Sequence, residues 1–138
     1  MPLLSRKGIL AVAAVIDVAL NSINRPVSAK VLAIRHGLPP RHLEPVLQAL
    51  VHDGILRGVR GPRGGYQLGR KPREITANEI LRAAGTVENQ DESDLPGSDL
   101  VAHVVLPAIA QAERAFAAAL EKISIEDLVQ RTQRSLRS

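Results

Sequence analysis

The sequence predicts a mainly α-helical protein with one small β-hairpin, followed by a long C-terminal helix. Three observations carry this. Two short helix-forming segments lie either side of a tight, glycine-containing turn at 37–40. Two β-prone runs then flank Gly61-Pro62-Arg63-Gly64-Gly65, which can only be a turn. Near the C-terminus, small apolar residues recur at heptad-like spacing.

The elements follow in order. Ile9, Val12, Ala13, Ile16, Ala19, Leu20 and Ile23 recur at helical spacing and predict a buried first helix, with Ser5 as its cap. Arg6 and Lys7 ahead of this apolar run superficially resemble a signal peptide. Asp17 interrupts the run, which is too short to span a bilayer, so a cytoplasmic protein without membrane contact is expected. Arg25-Pro26 ends the helix. Ser28 caps a second helix with Val31, Leu32 and Ile34 facing inward, and Gly37 stops it. After Leu38-Pro39-Pro40, a third helix carries Leu43, Val46, Leu47, Leu50 and Val51 on its apolar side and ends at Gly54. Pro45 either bends the entry of this helix or delays its start. Residues 55–60 and 66–68 read as the strands of a hairpin. A hairpin directly after a helix-turn-helix is a wing. Thr76 and Glu79 then form a capping box that opens a fourth helix with Ile80, Leu81 and Ala84 apolar.

From Gly85 to Ser98 the chain is polar and acidic, read as a loop. Val101, Val105, Ala108, Ala112, Ala115 and Ala119 form the heptad-like seam, with Phe116 beside it. Pro107 either restarts this helix or kinks it. Ser124 and Asp127 lead into a final short helix through Leu128. The organisation expected is a winged helix-turn-helix domain over 1–85, an acidic loop over 86–98, and a dimerisation helix with a C-terminal helix over 99–138.

Charge divides along the same line. Residues 1–85 hold 13 Lys/Arg against 5 Asp/Glu, and residues 86–138 hold 5 against 9. A basic front points to a polyanion as partner. The chain has no cysteine, which excludes disulfides, cysteine-based zinc sites and thiolate-held iron–sulfur clusters. The four histidines form no H-x-x-x-H pair. His36 suits a helix-end cap, and a metal site at His103 with Asp99 is the lesser reading, so no metal or cofactor is expected. The glycines match neither a P-loop nor a dinucleotide fingerprint, and no nucleophile–base set is recognisable by spacing; an enzyme has no positive support.

The chemistry therefore lies in the basic half. With its apolar side buried, the third helix leaves Arg41, His42, Glu44, Gln48 and His52 outside, and Arg and Gln can read guanine and adenine edges. Arg60 and Arg63, among Gly64 and Gly65, suit a phosphate backbone or a minor groove. Arg6 and Lys7, with Ser5, could hold phosphates at a helix start.

At Ser5-Arg6-Lys7-Gly8, Pro26-Val27-Ser28, residues 37–47, Val59 through Tyr66, Ile75-Thr76 with Ile80, and residues 123–128, the chain resembles the Rrf-type bacterial winged-helix regulators. That family includes the iron–sulfur assembly regulator and the nitrite-sensitive repressor, and the likeness covers most of the chain. It implies a homodimer joined by crossing C-terminal helices, with the third helix in the major groove of double-stranded DNA. It implies a wing touching the minor groove or phosphates. By position, the family's contact sites fall on Ser5, Ser28, Pro39, Arg41, His42, Glu44, Arg60 and Arg63. Pro39, His42 and Pro45 depart from the family's residues, so base readout is expected to differ. Many members carry three cysteines before the dimer helix; here 85–98 has none, and a small-molecule or protein effector is expected instead. The function expected is a sequence-specific regulator, a repressor by default, acting on a near-palindromic site. The rival is a winged-helix scaffold that binds a partner enzyme.

Overall fold

The computed structural model describes residues 6–85 and 99–137. Six α-helices and a two-stranded antiparallel hairpin follow one another among them. These are α1 (Arg6–Asn21), α2 (Ala29–Arg35), α3 (Pro40–His52), β1 (Leu56–Val59), β2 (Gly65–Leu68), α4 (Ala77–Gly85), α5 (Leu106–Glu121) and α6 (Ile125–Arg137). The expected cap of α1 at Ser5 and the acidic stretch 86–98 lie outside the described residues.

One core gathers Leu32 of α2, Leu43, Leu47 and Leu50 of α3, Ile55 and Leu56 at the hairpin, Ile75, Ile80 of α4 and Ile125 of α6. Its contribution from α1 differs from the expected set. The buried residues there are Ala11, Ala14, Val15 and Val18, whereas Ile9 and Ile23 are exposed. Short side chains let α4 and α6 lie close against α1, so the larger residues flank the contact. The inward face of α2 is likewise corrected: Leu32 and Ala33 are buried, while Val31 and Ile34 are exposed, Ile34 at 70%. A seven-residue helix has room for one buried stripe, and Ala33 occupies the place beside Leu32.

Asp17, which looked like an interruption, is a clamp. Its carboxylate is buried and accepts hydrogen bonds from Arg35, from Asn21 Nδ2 at 3.0 Å and from His36 Nε2 at 3.1 Å. It ties α1 to the end of α2. His36 both C-caps α2 through its backbone and reaches Asp17 with its ring.

The helix ends follow local chemistry. Ser28 Oγ accepts the N–H of Val31 at 3.1 Å. Thr76 and Glu79 cap each other, with bonds of 3.2 Å and 3.1 Å, and Ser124 and Asp127 repeat that box at α6. Helix α3 starts at Pro40, so Pro45 lies inside it rather than before it. It leaves the carbonyl of Arg41 without its usual i+4 donor. Pro107 lies in the first turn of α5, which begins at Leu106, so the α-helix restarts there as one of the two expected outcomes. A π-helical turn over Val101–Val105 precedes it, with Leu106 N–H reaching Val101 O. The wider turn relieves the clash of the proline ring with the preceding backbone.

The C-terminal helices return to the body. Ile125 N–H bonds to Ile75 O at 2.8 Å and Ala77 N–H to Ile123 O at 2.9 Å. Asn78, buried in α4, donates to Glu121 at the end of α5 at 2.6 Å.

Candidate nucleic-acid interface

Helix α3 is exposed at Arg41, His42, Glu44, Pro45, Gln48 and His52, while Leu43, Val46, Leu47 and Leu50 are buried. Positions 41, 44, 45, 48 and 52 make one polar stripe along its outer side. The wing stands next to it. β1 and β2 pair with Leu56 opposite Leu68 and Val59 opposite Gly65. The exposed tip, residues 60–63, carries Arg60 and Arg63. Between α3 and the wing runs an open groove of about 610 Å³, lined by Gln48, Val51, Arg60, Gly64, Gly65 and Tyr66 among others.

The wing is fixed to the body on its far side. Val27 N–H bonds to Tyr66 O at 3.0 Å and Tyr66 N–H to Val27 O at 2.8 Å, a single antiparallel bridge beside the two-stranded hairpin. Backbone crowding accounts for the two glycines that follow the tip. A Cβ on Gly65 would stand 2.4 Å from Val27 O, and one on Gly64 would stand 2.1 Å from Val59 O. Both glycines make room for the protein's own backbone. The Gly64 N–H is also taken by Gly61 O at 2.9 Å.

Of the residues expected at the interface, the structure brings Gln48, Arg60, Gly64 and Gly65 around one groove. Arg41 and Glu44 continue the stripe on α3, His42 is exposed beside it, and Arg63 extends from the wing tip. Pro39 is exposed as the N-cap residue of α3. Ser28 spends its hydroxyl on capping α2. Arg6 is exposed at the start of α1, and Lys7 is half-buried behind it.

Sequence reasoning missed Tyr66. Its ring packs against the core, and its hydroxyl receives a hydrogen bond from Gln48 Nε2 at 3.4 Å. Burial pushes the phenol above its ordinary value; the Gln48 bond opposes this, and the negative charge of Glu44 adds to it. It is a neutral O–H at any physiological pH. The chain's one tyrosine, placed in a strand that faces α3, was the available signal.

Helix α5 presents two sides. Ala110, Glu113, Phe116, Ala117 and Leu120 are half-buried, which puts Phe116 on the side covered by the chain itself. Val105, Ala108, Ala112, Ala115 and Ala119 are exposed, and Val101 is half-buried. Leu100, Val104, Leu106 and Ile109 add to the open apolar surface, with exposures of 64%, 58%, 42% and 40%. None of the described helices is long and apolar enough to cross a membrane.

A helix-turn-helix joined to an arginine-tipped wing defines a winged-helix protein of the DNA-binding regulator class. Residues 4–131 match the family model Rrf2, described as iron-dependent transcriptional regulator, and the chain belongs to that family. The family is one of transcription regulators, not of enzymes. Among relatives, a putative HTH-type transcriptional regulator of Haemophilus influenzae is 41% identical over 80 residues, 58% of this chain and 53% of that protein. The HTH-type transcriptional regulator IscR of Klebsiella pneumoniae is 40% identical over 80 residues, 58% of this chain and 49% of that protein. The match thus spans about half the length of these relatives. Solved structures agree over more of the chain. IscR of T. potens superposes with a TM-score of 0.73 at 28% identity, covering 96% of this chain and 89% of that one. CymR, the global cysteine regulator of B. subtilis, gives 0.67 at 27% identity, covering 92% and 95%.

The family description raises the matter of iron. A thiolate-held cluster needs cysteine ligands, and this sequence has none. Among the described residues no three His, Asp or Glu side chains converge on a metal position. His103 bonds to the carbonyl of Asp99 at 3.2 Å and finds no third partner for a metal there. The residues present do not fit a cysteine-ligated cluster.

Proposed function

We propose that this chain is a sequence-specific DNA-binding regulator, a repressor by default, that acts in the cytoplasm as a homodimer on a near-palindromic site. The observation that carries this is the placement of α3's polar stripe and the arginine-bearing wing tip on either side of one groove. In this reading α3 enters the major groove, where Arg41, His42, Glu44 and Gln48 meet base edges. Arg60 and Arg63 reach the minor groove or the flanking phosphates, and Arg6 and Lys7 add phosphate affinity. The open apolar side of α5, at Ala108, Ala112, Ala115 and Ala119, receives the same helix of a second copy. Small side chains there let two helices cross closely. The two α3 helices then meet successive major grooves roughly 34 Å apart. Control does not run through a cysteine-ligated cluster; an effector, small molecule or protein, takes that place.

The test is binding of the purified protein to its own upstream DNA and to random DNA at two salt concentrations, with its mass in solution measured alongside. Selective, salt-weakened binding by a dimer supports the reading. A monomer, or absence of selectivity at low salt, refutes it and favours the scaffold that binds a partner enzyme. Ala112→Glu places two charges at the helix crossing and is expected to yield monomers that have lost tight DNA binding.

A further inference from the structure

Gln48 sits in the middle of the outward stripe of α3, on a side chain with three rotatable bonds. A glutamine pairs with a base edge through both its amide donor and its acceptor, and one already held in a fixed orientation loses less freedom on binding. Here the amide is held. Its Nε2 donates to the hydroxyl of Tyr66, which belongs to the wing and not to α3. Tyr66 is a rigid post: its ring packs on the core, and its own N–H and C=O are both bonded to Val27. Its partner across the hairpin is Gly58, which leaves the ring unobstructed from that strand. Glu44 lies one turn before Gln48 on the same stripe.

We propose that Tyr66 is a positioning residue for base selection: it fixes the Gln48 amide, so that the seat of the wing determines what α3 reads in the major groove. With one amide hydrogen committed to Tyr66, Gln48 keeps one N–H and its carbonyl oxygen, the pair that matches the N7 and N6 edge of adenine. The wing then does more than grip the backbone, because shifting it moves the post on which a reading side chain rests. This inference rests on the DNA-binding reading above.

The test begins by selecting the preferred site from a pool of randomised duplexes with the full chain. Affinities for that site and for each single-base variant are then measured for wild type, Tyr66→Phe, Gln48→Ala and the double variant. Tyr66→Phe keeps the ring and its packing, and thermal unfolding checks that the fold is kept. Each single variant is expected to relax discrimination at the same base pair of the half-site, about three- to tenfold for Tyr66→Phe. In the Gln48→Ala background, Tyr66→Phe should change nothing further. A loss that is equal on all sequences, and equal in both backgrounds, overturns the proposal and makes Tyr66 a backbone contact or a structural residue. An unchanged base preference in Tyr66→Phe also overturns it. A wild-type protein that enriches no site at all overturns the DNA-binding reading itself, which separates the two failures.

Discussion

Replacing Gly65 by alanine tests how the wing is seated. The added Cβ would lie 2.4 Å from Val27 O, 2.5 Å from Val27 C and 2.8 Å from Ser28 N, all backbone atoms that cannot rotate away. Ordinary contact needs about an ångström more, so β2 and residues 27–28 must part by roughly that distance. The two bonds between Val27 and Tyr66, now 3.0 Å and 2.8 Å, then exceed hydrogen-bonding range. Each contributes on the order of 1 kcal/mol, and Val27, buried at 5% exposure, loses part of its packing. The expected loss is about 2–4 kcal/mol of unfolding free energy, a large part of what a domain of this size commands. DNA affinity should fall as well, because the wing is displaced from α3. Gly58→Ala serves as the control: a methyl group there would meet nothing within 4 Å, and the backbone at Gly58 is ordinary. Urea unfolding and DNA titration of both variants read the outcome. A Gly65→Ala protein as stable as Gly58→Ala, with unchanged DNA binding, would refute the wing's attachment to residues 27–28.

Three further outcomes follow from the structure. Asp17→Ala strips Arg35, His36 and Asn21 of a buried acceptor and should lower stability by about 2–3 kcal/mol, read as a lower urea midpoint; Arg35 is 43% exposed, which keeps the loss below that of a fully buried pair. The Glu79 carboxyl is raised by burial, but the Thr76 N–H, the Arg70 bond and the charges of Arg70 and Arg82 outweigh this and hold it below its ordinary 4.5. Its stabilisation is therefore present above about pH 4.5 and lost as pH falls through the lower folded value; the gap in melting temperature between wild type and Glu79→Gln should narrow as the pH is taken below 4.5, and a gap that widens on acidification contradicts this. Arg63→Ala should weaken binding to all sequences and lower the salt slope by about 1 for each phosphate left without its cation, whereas Arg41→Ala should relax choice at one or two positions; equal losses on specific and random DNA would remove Arg41 from readout.

What the sequence made legible was local. The capping box at Thr76–Glu79, spaced three residues apart, formed as read, and Ser124 with Asp127 led into a helix as expected. The hairpin announced itself through its glycines and its β-prone flanks. Long-range relations were not legible. Asp17 meets Arg35 and His36 from 18 and 19 residues away, and along the chain it shows only as a break in an apolar run. Hydrophobicity also misled on which face is buried. In α1 the closest contacts take alanine and valine, because helix approach favours small residues, and Ile9 is left outside. The crowding that requires glycine at 65 comes from Val27, far back in the chain, and no local pattern showed it. Tyr66 stood out as the chain's one tyrosine, but nothing in a strand's alternation tells which residue of a helix its hydroxyl will meet.

The return of α6 to the core has a consequence for how the proposed dimer measures DNA. Bonds at Asn78–Glu121, Ala77–Ile123 and Ile75–Ile125 bolt the far end of α5 to the winged domain. Reading head and helical shaft therefore turn as one piece, like a gear keyed to its axle. One residue added to α5 would advance the shaft by about 1.5 Å and rotate it by about 100° relative to the head. One base pair added between half-sites rotates one of them by about 35° about the duplex axis. If these bonds hold in the proposed dimer, the duplex rather than the protein has to take up that turn. Spacing between half-sites would then be selected alongside the identity of the bases.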